Sequence, residues 1–182
     1  AIVHNGNITN ALELKRELED EGAIFTTTSD TEVICHIIVR ERIKTNSIEE
    51  AVKNTMKILK GAYSLLILSS QKMIAVRDPQ GFRPLCMGHL GEDIVFASES
   101  CALDITGAKF ERDIEPGEIV VVTDNQVKSE KYMPNERKGM CIFEYIYFAR
   151  PDSIIDGINV HIFRENAGRY LAKQAPVDAD IV

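Results

Sequence analysis

Apolar and polar positions along the chain change period once, early on. Between residues 10 and 59 the apolar side chains recur every three or four positions, the spacing of one helical face. Asn10 with Glu13 reads as a capping box. Ala11, Leu14 and Leu18 follow on one face, and Gly22 closes that helix. Ser29 with Glu32 reads as a second box ahead of the stripe Val33, Ile34, Ile37 and Ile38. Ser47 with Glu50 reads as a third, ahead of Ile48, Ala51, Val52, Met56 and Leu59, with Gly61 as the stop. The opening segment, "AIVHNGNITN", is different. Ala1-Ile2-Val3 reads as a short apolar strand and Asn5-Gly6 as a turn, because both residues tolerate positive φ. Such a strand needs a neighbour, so the reading is of a piece of a longer protein.

From residue 62 the pattern is of short β-rich runs: "AYSLLILSS", "KMIAVRD", "PLCMGHL", "DIVFAS" and "EIVVVTD". Turns at Asp78-Pro79-Gln80-Gly81 and Glu115-Pro116-Gly117 punctuate them. "ESCALDIT" reads as a short helix, and Asn125 as a hairpin into "QVKSEKYM". Hairpin-linked strands after helices predict an α+β fold, an antiparallel sheet with helices packed on it. The polar stretch "MPNERKG" marks a boundary, giving segments 1–139 and 140–182. Beyond it, "CIFEYIYFA" reads as an apolar strand and "RPDSIIDG" as a loop. A helix is predicted from about Asn159, carrying Val160, Phe163, Ala167 and Leu171, and "DADIV" reads as the start of another buried strand.

Composition narrows the function. A hydrophobic content of 45% and a charged content of 27% are those of a globular protein. A net charge of -7 argues against general nucleic-acid binding, which needs a basic surface. No apolar run approaches the roughly 18 residues of a membrane span. The four cysteines, Cys35, Cys86, Cys101 and Cys141, show no CxxC spacing and read as buried free thiols of a reducing compartment. The four histidines are scattered without ligand spacing, which speaks against zinc.

Three places could carry chemistry. The amide of Asn5 and the backbone N–H of Gly6 are two donors that could hold a developing oxyanion; the alternative is a tight turn. Asp30 stands in the first turn of a helix, where it either complements the macrodipole or pairs with a substrate ammonium. Arg77 and Arg83 flank a Pro-Gly turn and could bind an anion or make structural ion pairs.

The order "HNGN", "TSDTEVI", "GAYSLLIL", "RDPQGFRPLCMG" and "FASESCALD" resembles the glutaminase domain of class II glutamine amidotransferases, which are N-terminal-nucleophile (Ntn) hydrolases. Glucosamine-6-phosphate synthases share the early half. "RDIEPGE" and "CIFEYIYFARPDS" resemble the amidophosphoribosyltransferases, and that resemblance covers essentially the whole chain. It implies a partial αββα Ntn sandwich over 1–139. An interdomain strand and the opening of a phosphoribosyltransferase-type α/β domain would follow over 140–182.

The resemblance also implies a reaction. An N-terminal cysteine hydrolyses the amide of glutamine, and the ammonia displaces pyrophosphate from phosphoribosyl pyrophosphate, giving 5-phosphoribosylamine. Asn5 and Gly6 match the oxyanion hole, and Asp30 the residue that binds the glutamine α-amino group. The cysteine, the arginine that holds the glutamine carboxylate, and the diphosphate and Mg2+ sites are expected outside this chain, making it inactive alone and truncated at both ends. Cys141 matches one ligand of the [4Fe-4S] cluster that some members carry; its bland reading is a packed thiol. A cytoplasmic homo-oligomer is implied for the whole enzyme. The alternatives are another class II amidotransferase and a catalytically dead Ntn-like interaction module.

Overall fold

The computed structural model describes residues 1–124, 126–133 and 138–181. By contacts the chain divides into two compact units, one of Ala1–Leu85 with Ile114–Met140, the other of Cys86–Asp113 with Cys141–Val182.

The first unit holds β1 (Ile2–Ile8), α1 (Ala11–Asp20), α2 (Asp30–Lys44), α3 (Ile48–Ile58), β2 (Gly61–Leu68) and β3 (Met73–Arg77). After the three strands β4 (Cys86–Leu90), β5 (Asp93–Ala97) and β6 (Lys109–Asp113), which belong to the second unit, come β7 (Glu118–Thr123) and β8 (Gln126–Lys131) of the first. Its sheet is antiparallel throughout, in the order β1-β2-β3-β7-β8. Alternation along β2 puts Tyr63, Leu65 and Ile67 into one core with Ile74, Val76 and Ile119 of the neighbouring strands. The helices fill that core with the predicted stripes: Leu14 and Leu18 from α1, Val33, Ile34, Ile37 and Ile38 from α2, Val52 and Met56 from α3.

The second unit pairs its strands as β5-β4-β6, again antiparallel. It also holds α4 (Ser100–Thr106), a π-helical turn at Glu144–Phe148, the two-residue strands β9 (Ile154–Ile155) and β10 (Ile158–Asn159), and α5 (Val160–Gln174). Cys86, Leu103 and Ala108 form its small apolar centre. Glu99 and Ser100 fasten the 150–154 loop to the start of α4. Glu99 Oε2 accepts the Arg150 N–H (2.8 Å) and the Ser153 hydroxyl (2.7 Å), and Ser100 Oγ accepts the Ile154 N–H (2.8 Å).

Several expectations are corrected. Asn5-Gly6 is not a turn: β1 runs straight through it, with Asn5 opposite Ser64 and Gly6 opposite Tyr63. Asn10 precedes α1 but makes no side-chain cap. Its amide instead donates to the Ile58 carbonyl (3.1 Å) and accepts the Lys60 N–H (3.0 Å), clamping the link from α3 to β2. Glu32 does not close a box with Ser29, although Ser29 does cap α2 through the Thr31 N–H. Gly61 opens β2 rather than ending α3, which stops at Ile58.

"CIFEYIYFA" is not a strand. Its centre winds into the π-helical turn, where the Tyr145 hydroxyl donates to the Ile155 carbonyl and Arg164 donates to the carbonyls of Tyr145 and Ala149. Those tertiary bonds replace the ladder partners a strand would need. The described part of "DADIV" forms no strand and is exposed. Asn125, residues 134–137 of the polar stretch, and Val182 lie outside the described residues.

Candidate functional site

The site is built on β1 and the start of α2. Gly6 has φ +152°, and a Cβ there would collide with the Ala62 carbonyl. The β1 backbone therefore presses against β2 at a spot only glycine allows. Asn5, half-buried, shares a face with Ser64, its cross-strand partner. Ser64 in turn donates to the carbonyls of Arg83 (3.3 Å) and Pro84 (3.1 Å), holding the loop after β3 on that side of the sheet.

That loop is wound around Asp78, which is fully buried. Its Oδ1 accepts the N–H groups of Gln80 (2.9 Å) and Gly81 (2.7 Å). Burial raises the Asp78 carboxyl above its ordinary range, against the pull of the Phe82, Arg83, Gln80 and Gly81 backbone donors. Arg77 is equally buried and donates to the carbonyls of Arg83 (2.9 Å), Ile114 (2.7 Å) and Gly81 (3.2 Å). Its guanidinium thus serves the backbone of the loops around it, a role neither the anion-binding nor the ion-pair reading gave it.

Asp30 is the first residue of α2, half-buried. Its Oδ2 accepts the backbone N–H of Ile8 (3.0 Å), and its Oδ1 lies 3.5 Å from Nδ1 of His4. The loop before it is stiffened by Glu32, which accepts from the hydroxyls and backbone N–H groups of both Thr26 and Thr27. The Thr27 hydroxyl, then the Thr26 backbone N–H, hold the Glu32 carboxyl at about 2. Asp30 is therefore presented from a fixed loop, tied across to the strand that carries Asn5 and Gly6.

His4 adjoins these residues, and sequence reading gave it no role. Nothing in its spacing marks it; only its place directly before Asn5 does.

Of the four cysteines, Cys86 is buried and its thiol is pushed up to about 12, chiefly by burial, so it is no nucleophile at neutral pH. Cys101 is also buried, but Cys141 is half-buried and Cys35 is exposed, so the expectation of buried thiols is corrected for these two. Among the described residues no three His, Cys, Asp or Glu side chains gather to hold a metal. A four-iron cluster needs four ligands, and Cys141 supplies one thiol, so these residues do not by themselves fit such a cluster. No helix among the described residues is long and apolar enough to cross a membrane.

An α+β fold of antiparallel sheets with helices packed on them is the architecture of an Ntn-type amidotransferase domain. The chain belongs to that family: residues 1–104 match the glutamine amidotransferase domain. Over all its residues it is 48% identical to an amidophosphoribosyltransferase of Bacillus subtilis and 50% identical to one of Methanocaldococcus jannaschii. It spans 38% and 42% of those two proteins. The solved B. subtilis glutamine phosphoribosylpyrophosphate amidotransferase, in complex with ADP and GMP, superposes with a TM-score of 0.93 at 48% identity. That match covers 99% of this chain and 39% of the solved one. A class II glutamine aminotransferase domain protein from Silicibacter pomeroyi, 14% identical with a TM-score of 0.52, shares the fold alone.

Proposed function

We propose that this chain is the glutaminase portion, with the entry to the transferase portion, of an enzyme that moves ammonia from glutamine to phosphoribosyl pyrophosphate. The product is 5-phosphoribosylamine, the first intermediate of purine synthesis. The observation that carries the reading is the match, over all of this chain and near 50% identity, to parts of two amidophosphoribosyltransferases. Residues 1–139 make up the glutaminase part, within which the family match lies, and 140–182 lead toward the transferase. The whole enzyme is read as a cytoplasmic homo-oligomer.

In this reading glutamine lies along β1. Asp30 binds the α-ammonium. When a cysteine thiolate attacks the amide carbon, the Asn5 side-chain N–H and the Gly6 backbone N–H take up the charge that develops on the amide oxygen. They act mainly in the transition state, because the charge they meet develops only there. The nucleophile is inferred to be an N-terminal cysteine with its own amino group as base. None of the four cysteines among these 182 residues is of that kind, so the isolated chain is expected to be inactive. Mg2+ would serve the diphosphate outside these residues. Cys141 is offered as one thiolate of an iron–sulfur cluster completed elsewhere; anaerobic protein without iron would remove that role.

The test uses the full-length protein with glutamine, phosphoribosyl pyrophosphate and Mg2+. Glutamate and pyrophosphate should form one for one, while the 182-residue chain releases no glutamate above a buffer blank. Pyrophosphate release that ignores glutamine and ammonia alike, or glutamate release by the isolated chain, would overturn the proposal.

A further inference from the structure

His4 sits one residue before Asn5 on β1, with its side chain only 3% exposed. Its Nδ1 faces the start of α2, 3.5 Å from Asp30 Oδ1 and 3.2 Å from Thr31 Oγ1. A carboxylate only accepts hydrogen bonds, so a ring nitrogen aimed at it is favoured in its N–H form. Burial, aided by the nearby Arg83 charge, outweighs the pull of Asp30 and keeps the imidazole below its ordinary pKa. A neutral ring orients Asp30 without cancelling its charge.

Asp30 is thus faced by β1 at both oxygens. Ile8 N–H meets Oδ2 at 3.0 Å, and His4 faces Oδ1. The same strand carries Asn5 and Gly6 between those two anchors. The two ends of an amino-acid amide, its ammonium and its carbonyl oxygen, are then measured off against one continuous, sheet-locked segment five residues long, His4 to Ile8. We infer that His4 is a positioning residue for substrate recognition: through Asp30 it sets where the α-ammonium must sit relative to the oxyanion donors on the same strand. This rests on the proposed role of Asp30. It goes beyond that role by assigning ammonium selectivity to a buried residue that does not touch the substrate.

The test uses the full-length enzyme and two inhibitors of the glutamine pocket, glutamate and glutarate, which differ by the ammonium alone. His4→Leu removes the ring donor. It should raise the glutamine KM and the glutamate inhibition constant about tenfold, the usual scale of one lost hydrogen bond to a charged group, while kcat and the glutarate constant move less than about twofold. His4→Asn keeps an N–H near the Nδ1 position and His4→Gln shifts it toward Nε2, so Asn should restore glutamate binding and Gln should not.

Equal losses for glutamate and glutarate would make His4 a packing residue and overturn the inference. So would Asn and Gln variants that behave alike, which also decides the matter if the leucine variant does not fold. The parent reading is judged separately by Asp30→Asn. If that change leaves the preference for glutamate over glutarate intact, the Asp30 assignment itself fails. If it abolishes the preference while His4→Leu does not, only the His4 inference falls.

Discussion

Asp30, the first residue of α2, accepts the backbone N–H of Ile8, in β1, at 3.0 Å. With the His4 contacts to Asp30 and Thr31, that bond joins the helix start to the strand bearing Asn5 and Gly6. It gives Asp30 a structural duty beside its proposed binding duty, and the two can be separated. Asp30→Asn keeps a carbonyl oxygen that can accept from Ile8 but removes the charge. In the full-length enzyme glutamine binding should weaken about ten- to a hundredfold, since a hydrogen bond to a charged group is worth roughly 1.5–3 kcal/mol. The reaction with free ammonia needs no amino-acid pocket and should suffer far less. Kinetics with each nitrogen donor, run on the same preparation, decide this; equal losses would assign Asp30 to folding.

Gly6 and Gly22 both have positive φ, +152° and +95°, but differ in surroundings. A Cβ at Gly6 would strike the Ala62 carbonyl, whereas at Gly22 it meets open space. Gly22→Ala should cost only the backbone conformation, about 1–2 kcal/mol, with kcat unchanged. Gly6→Ala must also push β1 off β2, so it should cost more than about 3 kcal/mol and lower kcat with it. Urea unfolding and glutamine hydrolysis measured on both variants test the contrast. Comparable stabilities would mean that β1 yields easily and that Gly6 is not a fixed donor.

The pH dependence of stability follows from His4. Burial pushes its pKa below the ordinary 6.5, so below that pH the unfolded chain takes up a proton that the folded one resists. A group shifted in this direction lowers stability as pH falls through the unfolded value and on toward the folded one. The charged and polar groups facing it are Asp30 and Thr31 from α2 and Arg83 from the loop after β3. His4→Asn removes the titration. Between about pH 7.5 and about pH 5.5 the parent's melting temperature should fall more steeply than the variant's. Parallel curves would show that the imidazole titrates alike in both states.

The helices and most strands were legible because their signals are local. Ser29 and Ser47 do cap α2 and α3, and the stripes of α1, α2 and α3 do fill the core. Where reading failed, a tertiary partner outbid a local preference. Asn5-Gly6 has the composition of a turn, yet pairing with Ser64 and Tyr63 holds it extended. Asn10 has the composition of a cap, yet its amide bridges Ile58 and Lys60. β6, "KFERD", was missed because its charged, largely exposed residues carry no apolar alternation. The aromatic run around Tyr145 looked β-like, yet Arg164, far along the chain, satisfies its carbonyls in a π-helical turn. In the candidate site, Asn5, Gly6 and Asp30 are proposed from motif alone. His4 could not be, since its meaning lies in a residue 26 positions on that only the fold brings near.

Asn5 offers the sharpest test of the oxyanion assignment. It lies mid-strand, so a turn role no longer competes; the remaining alternative is that its side chain merely packs beside Ser64. Asn5→Ala removes one donor from the tetrahedral intermediate and leaves the ammonium contact in place. Loss of one such donor costs roughly 2.7–4 kcal/mol, about a hundred- to a thousandfold in kcat, with little change in KM. Asn5→Asp keeps the size but turns a negative charge toward a developing negative charge, so it should be at least as damaging. A packing role predicts the reverse order. Aspartate, nearly isosteric and half-exposed to solvent, would be the mild change, and alanine would be worse through the space it leaves. The rank order of the two variants in kcat for glutamine hydrolysis, with melting temperatures taken alongside, therefore separates the readings. Variants that lose kcat in the order aspartate then alanine while keeping their melting temperatures would place the Asn5 amide at the oxyanion. Losses that track melting temperature would remove it.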